Sequence, residues 1–128
     1  MARATQAIIN CHALRENYQL VKQAAPSSRA YAVIKANAYG HGAIKVAKKL
    51  SPHVPALAVA FIEEAIELRD AGVTLPILIM EGPLSYDDLS ISLQRNFWLI
   101  LHTAEQVNWL NRFSPSYSGK LWLKVNTG

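Results

Sequence analysis

The sequence predicts an α/β fold of about five βα units, the N-terminal share of an eight-stranded (β/α)8 barrel of TIM type. Three observations carry this. Apolar runs at Tyr31–Ile34, Leu57–Ala60, Ile77–Met80, Trp98–Leu101 and Leu121–Val125 begin 26, 20, 21 and 23 residues apart, with an amphipathic segment in each gap. None of the runs alternates with polar residues, as expected of parallel strands covered on both faces. The fifth run is followed only by Asn126-Thr127-Gly128, so a five-stranded doubly wound domain would lack its last covering helix. A whole (β/α)8 barrel takes about 250 residues, and five strands are an incomplete share of one. The chain is therefore expected to be a truncated piece.

The elements follow in order. Residues 3–9 (Arg-Ala-Thr-Gln-Ala-Ile-Ile) read as a short strand. Asn10 is a good N-cap for a helix reaching about Ala24, in which Cys11, Leu14, Tyr18, Val21 and Ala25 form one apolar stripe. Pro26-Ser27-Ser28 ends it. Helices are then expected over 42–50, stopped before Ser51-Pro52; 62–71, stopped at Gly72; and 86–95, after Ser85, with Leu84 and Leu89 spaced as a hydrophobic staple. The last runs from 104 to about 113 and opens with Thr103 and Gln106 at capping-box spacing.

Composition narrows the class. With 51% hydrophobic and 17% charged residues the balance is that of a folding globular chain. The N-terminus has no apolar run of the secretory kind, and no stretch approaches the roughly 20 apolar residues that span a bilayer. A cytoplasmic protein is expected, with no membrane partner. Cys11 is the only cysteine, which excludes an intramolecular disulfide; it reads as a small core residue, since its neighbour His12 points about 100° away on a helix. The net charge of +4 is mild. Lys45, Lys48 and Lys49 share one helical face without interleaved aromatics, so they read as a solvated surface, and nucleic acid is set aside. No metal-ligand pattern is present.

The chemistry concentrates where the first barrel strand ends. Ligands bind at the C-terminal edge of such sheets, so Lys35 arrives at the mouth by topology. An amine there can bond an aldehyde if it can shed its proton, which partial desolvation favours. Tyr39 follows four residues on, in a loop that Gly40 and Gly42 make permissive, where its hydroxyl could turn towards a phosphate near Lys35. His41 reads as loop-shaping, His53 as a surface residue, and His102 and Glu81 as rim residues with structural roles.

The segment Ala32-Val33-Ile34-Lys35-Ala36-Asn37-Ala38-Tyr39-Gly40-His41-Gly42 resembles the cofactor-lysine signature of the alanine racemase family over eleven consecutive residues. Asn10 through Tyr18 is similar to that family's opening helix. Glu63-Glu64-Ala65 with Leu68-Arg69, and Leu78 through Gly82, resemble its next two units, and Leu121 through Gly128 the end of its fifth strand. The resemblance implies a fold type III pyridoxal 5'-phosphate enzyme that interconverts L-alanine and D-alanine and so supplies D-alanine for peptidoglycan. It implies a homodimer of two-domain subunits, of which residues 10–128 are part of the barrel; residues 1–9 are a strand that pairs with the C-terminal domain. Lys35 would carry the cofactor and act as one of two acid/base groups, Tyr39 would bond the cofactor phosphate, and Lys124 stands where many members carry a carbamylated lysine. The second base, a tyrosine of the partner subunit, lies outside this chain. Alone, these residues are expected to be inactive and to self-associate through exposed strand edges. Two alternatives stand beside this: a broader amino-acid racemase of the same barrel class, and a non-catalytic cofactor-binding or interaction module.

Overall fold

A computed structural model describes residues 4–113 and 117–128. Its elements are α1 (Cys11–Ala24), β1 (Ala32–Val33), α2 (Lys35–Tyr39), α3 (Ala43–Leu50), β2 (Leu57–Val59), α4 (Ile62–Asp70), β3 (Ile77–Ile79), α5 (Tyr86–Gln94), β4 (Trp98–Leu101), α6 (Ala104–Arg112) and β5 (Leu121–Leu123). The five strands form one all-parallel sheet in sequential order, β1 to β5. Register pairs Ala32 with Leu57, Leu57 with Ile77, Leu78 with Trp98, and Leu99 with Leu121. No helix among the described residues is long and apolar enough to cross a membrane.

The two faces of the sheet have different tasks. Leu57, Val59, Ile77, Ile79, Leu99 and Leu101 point outward into one cluster with Val46, Leu50, Ala65, Leu68 and Leu89 of the covering helices. The alternate residues Ala58, Leu78, Trp98 and Ile100 point the other way, and Ala58 and Leu78 are buried there as well. This is why the runs carry no polar alternation. The inner face is strongly curled. In a flat sheet β1 and β4 would be about 14 Å apart at 4.8 Å per strand. Yet the Tyr31 ring, at the foot of β1, lies 5.9 Å from Trp98 and 6.4 Å from Trp122, and the two tryptophans are 5.5 Å apart. Three aromatics thus fill the inside of a partial barrel, with Lys120 Nζ 5.0 Å over the Trp98 ring.

Three expectations need correction. Residues 5–9 form no strand, and residues 1–3 lie outside the described residues; a strand exists only against a partner, and no strand of the sheet lies beside this segment. Cys11 is half-buried rather than in the core, because α1 contains no fully buried residue. On that helix Leu14 and Tyr18 meet the core while Val21 stays 55% exposed. Leu84 is 66% exposed, so the start of α5 is fixed by polar contacts instead: Asp88 Oδ2 accepts from Leu84 N (3.0 Å) and Ser85 N (3.1 Å).

At the foot of the sheet Tyr117 folds back over Gly119, and its hydroxyl donates to the Phe97 carbonyl. Burial raises its pKa from 10.0 to about 12. A folded-state pKa above the unfolded one means that this contribution is complete below pH 10 and disappears as the pH rises to about 12. The stability advantage of wild type over Tyr117→Phe should therefore be constant through neutral pH and shrink across that alkaline window. Urea midpoints of both proteins at pH 8 and pH 11.5 check it; an unchanged difference would remove the buried hydroxyl from the account.

Candidate active site

Lys35 follows Ile34, whose N–H still donates to Ala58 O (2.8 Å) as the last rung of β1. The chain then does something no sequence period announces. Ala36 (φ 50°, ψ 52°), Asn37 (54°, 44°) and Ala38 (54°, 46°) lie in the left-handed helical region, followed by Tyr39 at φ 53°. The segment expected to be an irregular loop is one ordered turn of left-handed helix. For L-residues this costs about 1–2 kcal/mol each, so roughly 4–8 kcal/mol in all, and asparagine is the only one of the four that tolerates it well.

The surroundings offset that cost. Ala38 N donates to Ile34 O (2.9 Å), Gly40 N to Ala36 O (3.1 Å), His41 N to Ala38 O (3.0 Å) and Gly42 N to Asn37 O (2.9 Å). The His41 ring donates from Nδ1 to Ala38 O (2.9 Å), the loop-shaping role expected of it. Asn37 Oδ1 accepts from Ala43 N (2.8 Å) and so caps α3, which has no acceptor at Gly42. The Ala38 methyl is buried in the core cluster. Asn37→Ala should cost about 2 kcal/mol, one part from the lost cap and one from the poorer left-handed residue. A urea midpoint unchanged from wild type would show that the turn does not depend on this side chain.

The geometric consequence concerns Lys35 and Tyr39. The left-handed values begin at Ala36, so the turn starts one residue after Lys35 and ends on Tyr39. Lys35 and Tyr39 are thus the two ends of one ordered five-residue segment at the C-terminal edge of the first strand. Lys35 is half-buried, and the ion pairs among the described residues do not include it. Tyr39 is 60% exposed at the rim. Lys124, one residue beyond β5, donates its N–H to Leu101 O (2.8 Å) and has an exposed side chain; it stands at the same C-terminal edge, on the far strand. Glu81 and His102 are exposed rim residues that act through their backbones: Glu81 N donates to Ala60 O (3.2 Å), and His102 N to Gln106 Oε1 (2.8 Å). His53 is on the surface. No cluster of metal-ligating side chains exists among the described residues.

Sequence reading missed the device that holds the mouth together. The third residue of each of α4, α5 and α6 turns back onto the loop before its helix. Glu64 Oε2 accepts from Ala60 N (2.8 Å) and Phe61 N (3.1 Å), Asp88 from Leu84 and Ser85, and Gln106 Oε1 from His102 and Thr103 (3.2 Å). The two longer side chains also reach the preceding βα loop. Glu64 Oε1 accepts from Ala36 N (2.6 Å), and Gln106 Nε2 donates to Pro83 O (2.9 Å). An N–H on the neighbouring loop calls for a carboxylate and a carbonyl calls for an amide, which accounts for Glu at one place and Gln at the other. Asp88 is one methylene shorter and caps only its own helix. The capping box at Thr103 and Gln106 is legible in the sequence; the reach of position 106 to the next loop is not.

A curled parallel sheet with an aromatic-filled inside and an amine at the rim of its first strand defines a partial (β/α) barrel, with its candidate site at the strand C-termini. The chain belongs to the alanine racemase family: the model of the "Alanine racemase, N-terminal domain" matches residues 9–128. It is 44% identical over 128 residues to an alanine racemase of Alteromonas mediterranea, covering all of this chain and 36% of that protein. It is 42% identical over 126 residues to a catabolic alanine racemase of Pseudomonas aeruginosa, covering 98% of this chain and 35% of that one. Among solved structures, an alanine racemase from Acinetobacter baumannii superposes with a TM-score of 0.88 at 33% identity, over 94% of this chain and 34% of the other. The biosynthetic alanine racemase of P. aeruginosa gives 0.85 at 36% identity, over 92% and 33%. The chain spans about a third of the length of these relatives.

Proposed function

We propose that this chain is the cofactor-bearing part of a pyridoxal-phosphate-dependent enzyme that interconverts L-alanine and D-alanine, acting within a polypeptide of its relatives' length and supplying D-alanine for peptidoglycan in the cytoplasm. The observation that carries this is a half-buried lysine outside the ion pairs of the described residues at the C-terminal edge of the first strand, followed by an ordered left-handed turn that ends on Tyr39. That donor set suits an aldehyde-bearing phosphate ester: the amine can bond the aldehyde carbon and the hydroxyl can donate to a phosphate oxygen. When bound, the cofactor supplies a conjugated electron sink for the α-carbon.

The rest of the work falls to side chains. Lys35 would hold the cofactor, and its Nζ would accept or return the α-proton on one face. Inversion needs a second acid/base group on the opposite face, and we assign it to a tyrosine of a partner subunit in a homodimer. Tyr39 would hold the phosphate end of the cofactor. Lys124 is proposed to be carbamylated, which converts a cation at the rim into an anion able to orient a substrate-side arginine.

Borohydride reduction of the complete polypeptide after incubation with pyridoxal 5'-phosphate, followed by peptide mass mapping, tests the proposal. The reduced label is expected on Lys35, in a protein that forms D-alanine from L-alanine. A label on another lysine, or none, would overturn the assignment.

A further inference from the structure

We infer that Glu64 is a positioning residue for Lys35, acting through the peptide bond between Lys35 and Ala36; the inference rests on the proposed role of Lys35. The six atoms of that peptide, from the Lys35 Cα to the Ala36 Cα, are coplanar. Glu64 Oε1 receives the Ala36 N–H at 2.6 Å, so the direction of this one hydrogen bond fixes the rotation about the Lys35 Cα–C bond. That rotation sets how the left-handed turn leaves the strand, and with it the relative placement of Lys35 and Tyr39.

The carboxylate itself is anchored. Its other oxygen is held by Ala60 N (2.8 Å) and Phe61 N (3.1 Å) at the start of α4, a helix locked into the core by Ile62, Ala65 and Leu68. The lysine-bearing turn is thereby referenced to the second βα unit as well as to its own strand. Left-handed backbone in alanine has a poor energy well of its own, so an outside constraint at its first residue governs the conformation. Three N–H donors converge on one side chain that has no basic partner among the described ion pairs.

The fold supplies the variants that separate helix capping from positioning. Gln106 shows that a glutamine at this helix position keeps the two-donor cap, and Asp88 shows the same for an aspartate that caps only its own helix. Glu64→Gln would cap α4 through its carbonyl oxygen but turn an NH2 group onto the Ala36 N–H, donor against donor. Glu64→Asp would cap and fall short. Both should keep the helix and lose the tie.

The test uses the complete polypeptide loaded with pyridoxal 5'-phosphate. In both variants amide exchange at Ala36 should quicken by at least about tenfold, and the pH midpoint of the visible cofactor band should move by about half a unit or more. The kcat for alanine should fall by roughly 10- to 100-fold with KM changed less than about threefold. Asp88→Ala, which loses a cap without any contact to α2, should lower the thermal midpoint and leave the visible band in place. The inference is overturned if Ala36 exchange quickens while the band midpoint and kcat stay at wild-type values. It also falls if both Glu64 variants simply fail to fold, which would make the contact structural. Failure of the underlying reading looks different, because wild type itself would then carry no borohydride label on Lys35.

Discussion

Racemisation by the complete polypeptide is expected to fall to background in Lys35→Ala, a loss of at least about 10⁴-fold, because in the proposed function one amine both anchors the cofactor and moves a proton. Lys35→Arg should be as inactive. A guanidinium keeps the positive charge but does not deprotonate in a protein, so it can neither bond the aldehyde nor accept the α-proton. The pair of variants separates charge from chemistry. D-alanine formation measured with saturating pyridoxal 5'-phosphate is the check, with circular dichroism to show that both proteins fold. Activity within tenfold of wild type in either variant would disprove the assignment of Lys35.

The second large effect is structural and lies in the loop after β3. Gly82 has φ 71°, and a Cβ placed on it would sit 2.3 Å from the Ile100 carbonyl oxygen and 3.1 Å from Gln106 Nε2. The first is backbone of an interior strand and cannot swing away; the second is the amide that reaches to Pro83. Gly82→Ala therefore meets a left-handed penalty, a clash with β4 and a disturbed link between two loops of the mouth. A destabilisation of about 3 kcal/mol or more is expected, at the upper end of what single substitutions do. Gly40→Ala shares the positive φ (85°) but meets nothing within 4 Å, so it should cost only about 1 kcal/mol. Urea midpoints of the two variants measure the difference, and equal midpoints would show that the close approach to Ile100 is not what Gly82 serves.

Much of this architecture is legible in the order of residues. The five apolar runs coincide with five parallel strands to within one to two residues of their expected bounds, because strands buried on both faces leave an uninterrupted apolar signature. The helices are equally legible: Asn10 accepts from His12 N (3.0 Å) and Ala13 N (3.1 Å), and Thr103 from Gln106 N (3.1 Å), as cap chemistry requires. The strand expected over 3–9 and the staple at Leu84 are not met, since each depends on a partner surface that local pattern does not supply. The site is legible in part. Strand position brings Lys35 to the mouth and the family resemblance names it and Tyr39 as candidates, whereas no local pattern credits Glu64, Asn37 or Gln106 with the contacts that hold the mouth. An acidic residue third in a helix signals a cap; nothing local signals that its second oxygen crosses to another loop.

By itself the chain's order of residues determined the βα cadence, the helix boundaries and the delivery of one lysine to the C-terminal edge of the first barrel strand, since burial period and capping act over a few residues. The tertiary structure alone decided the hand of the turn that follows. Left-handed backbone at Ala36, Asn37, Ala38 and Tyr39 is unfavourable in isolation and persists because Glu64, from a helix 28 residues further along, receives the Ala36 N–H while the Ala38 methyl sinks into the core. Those contacts join residues far apart in the chain, and it is they that hold the turn between Lys35 and Tyr39.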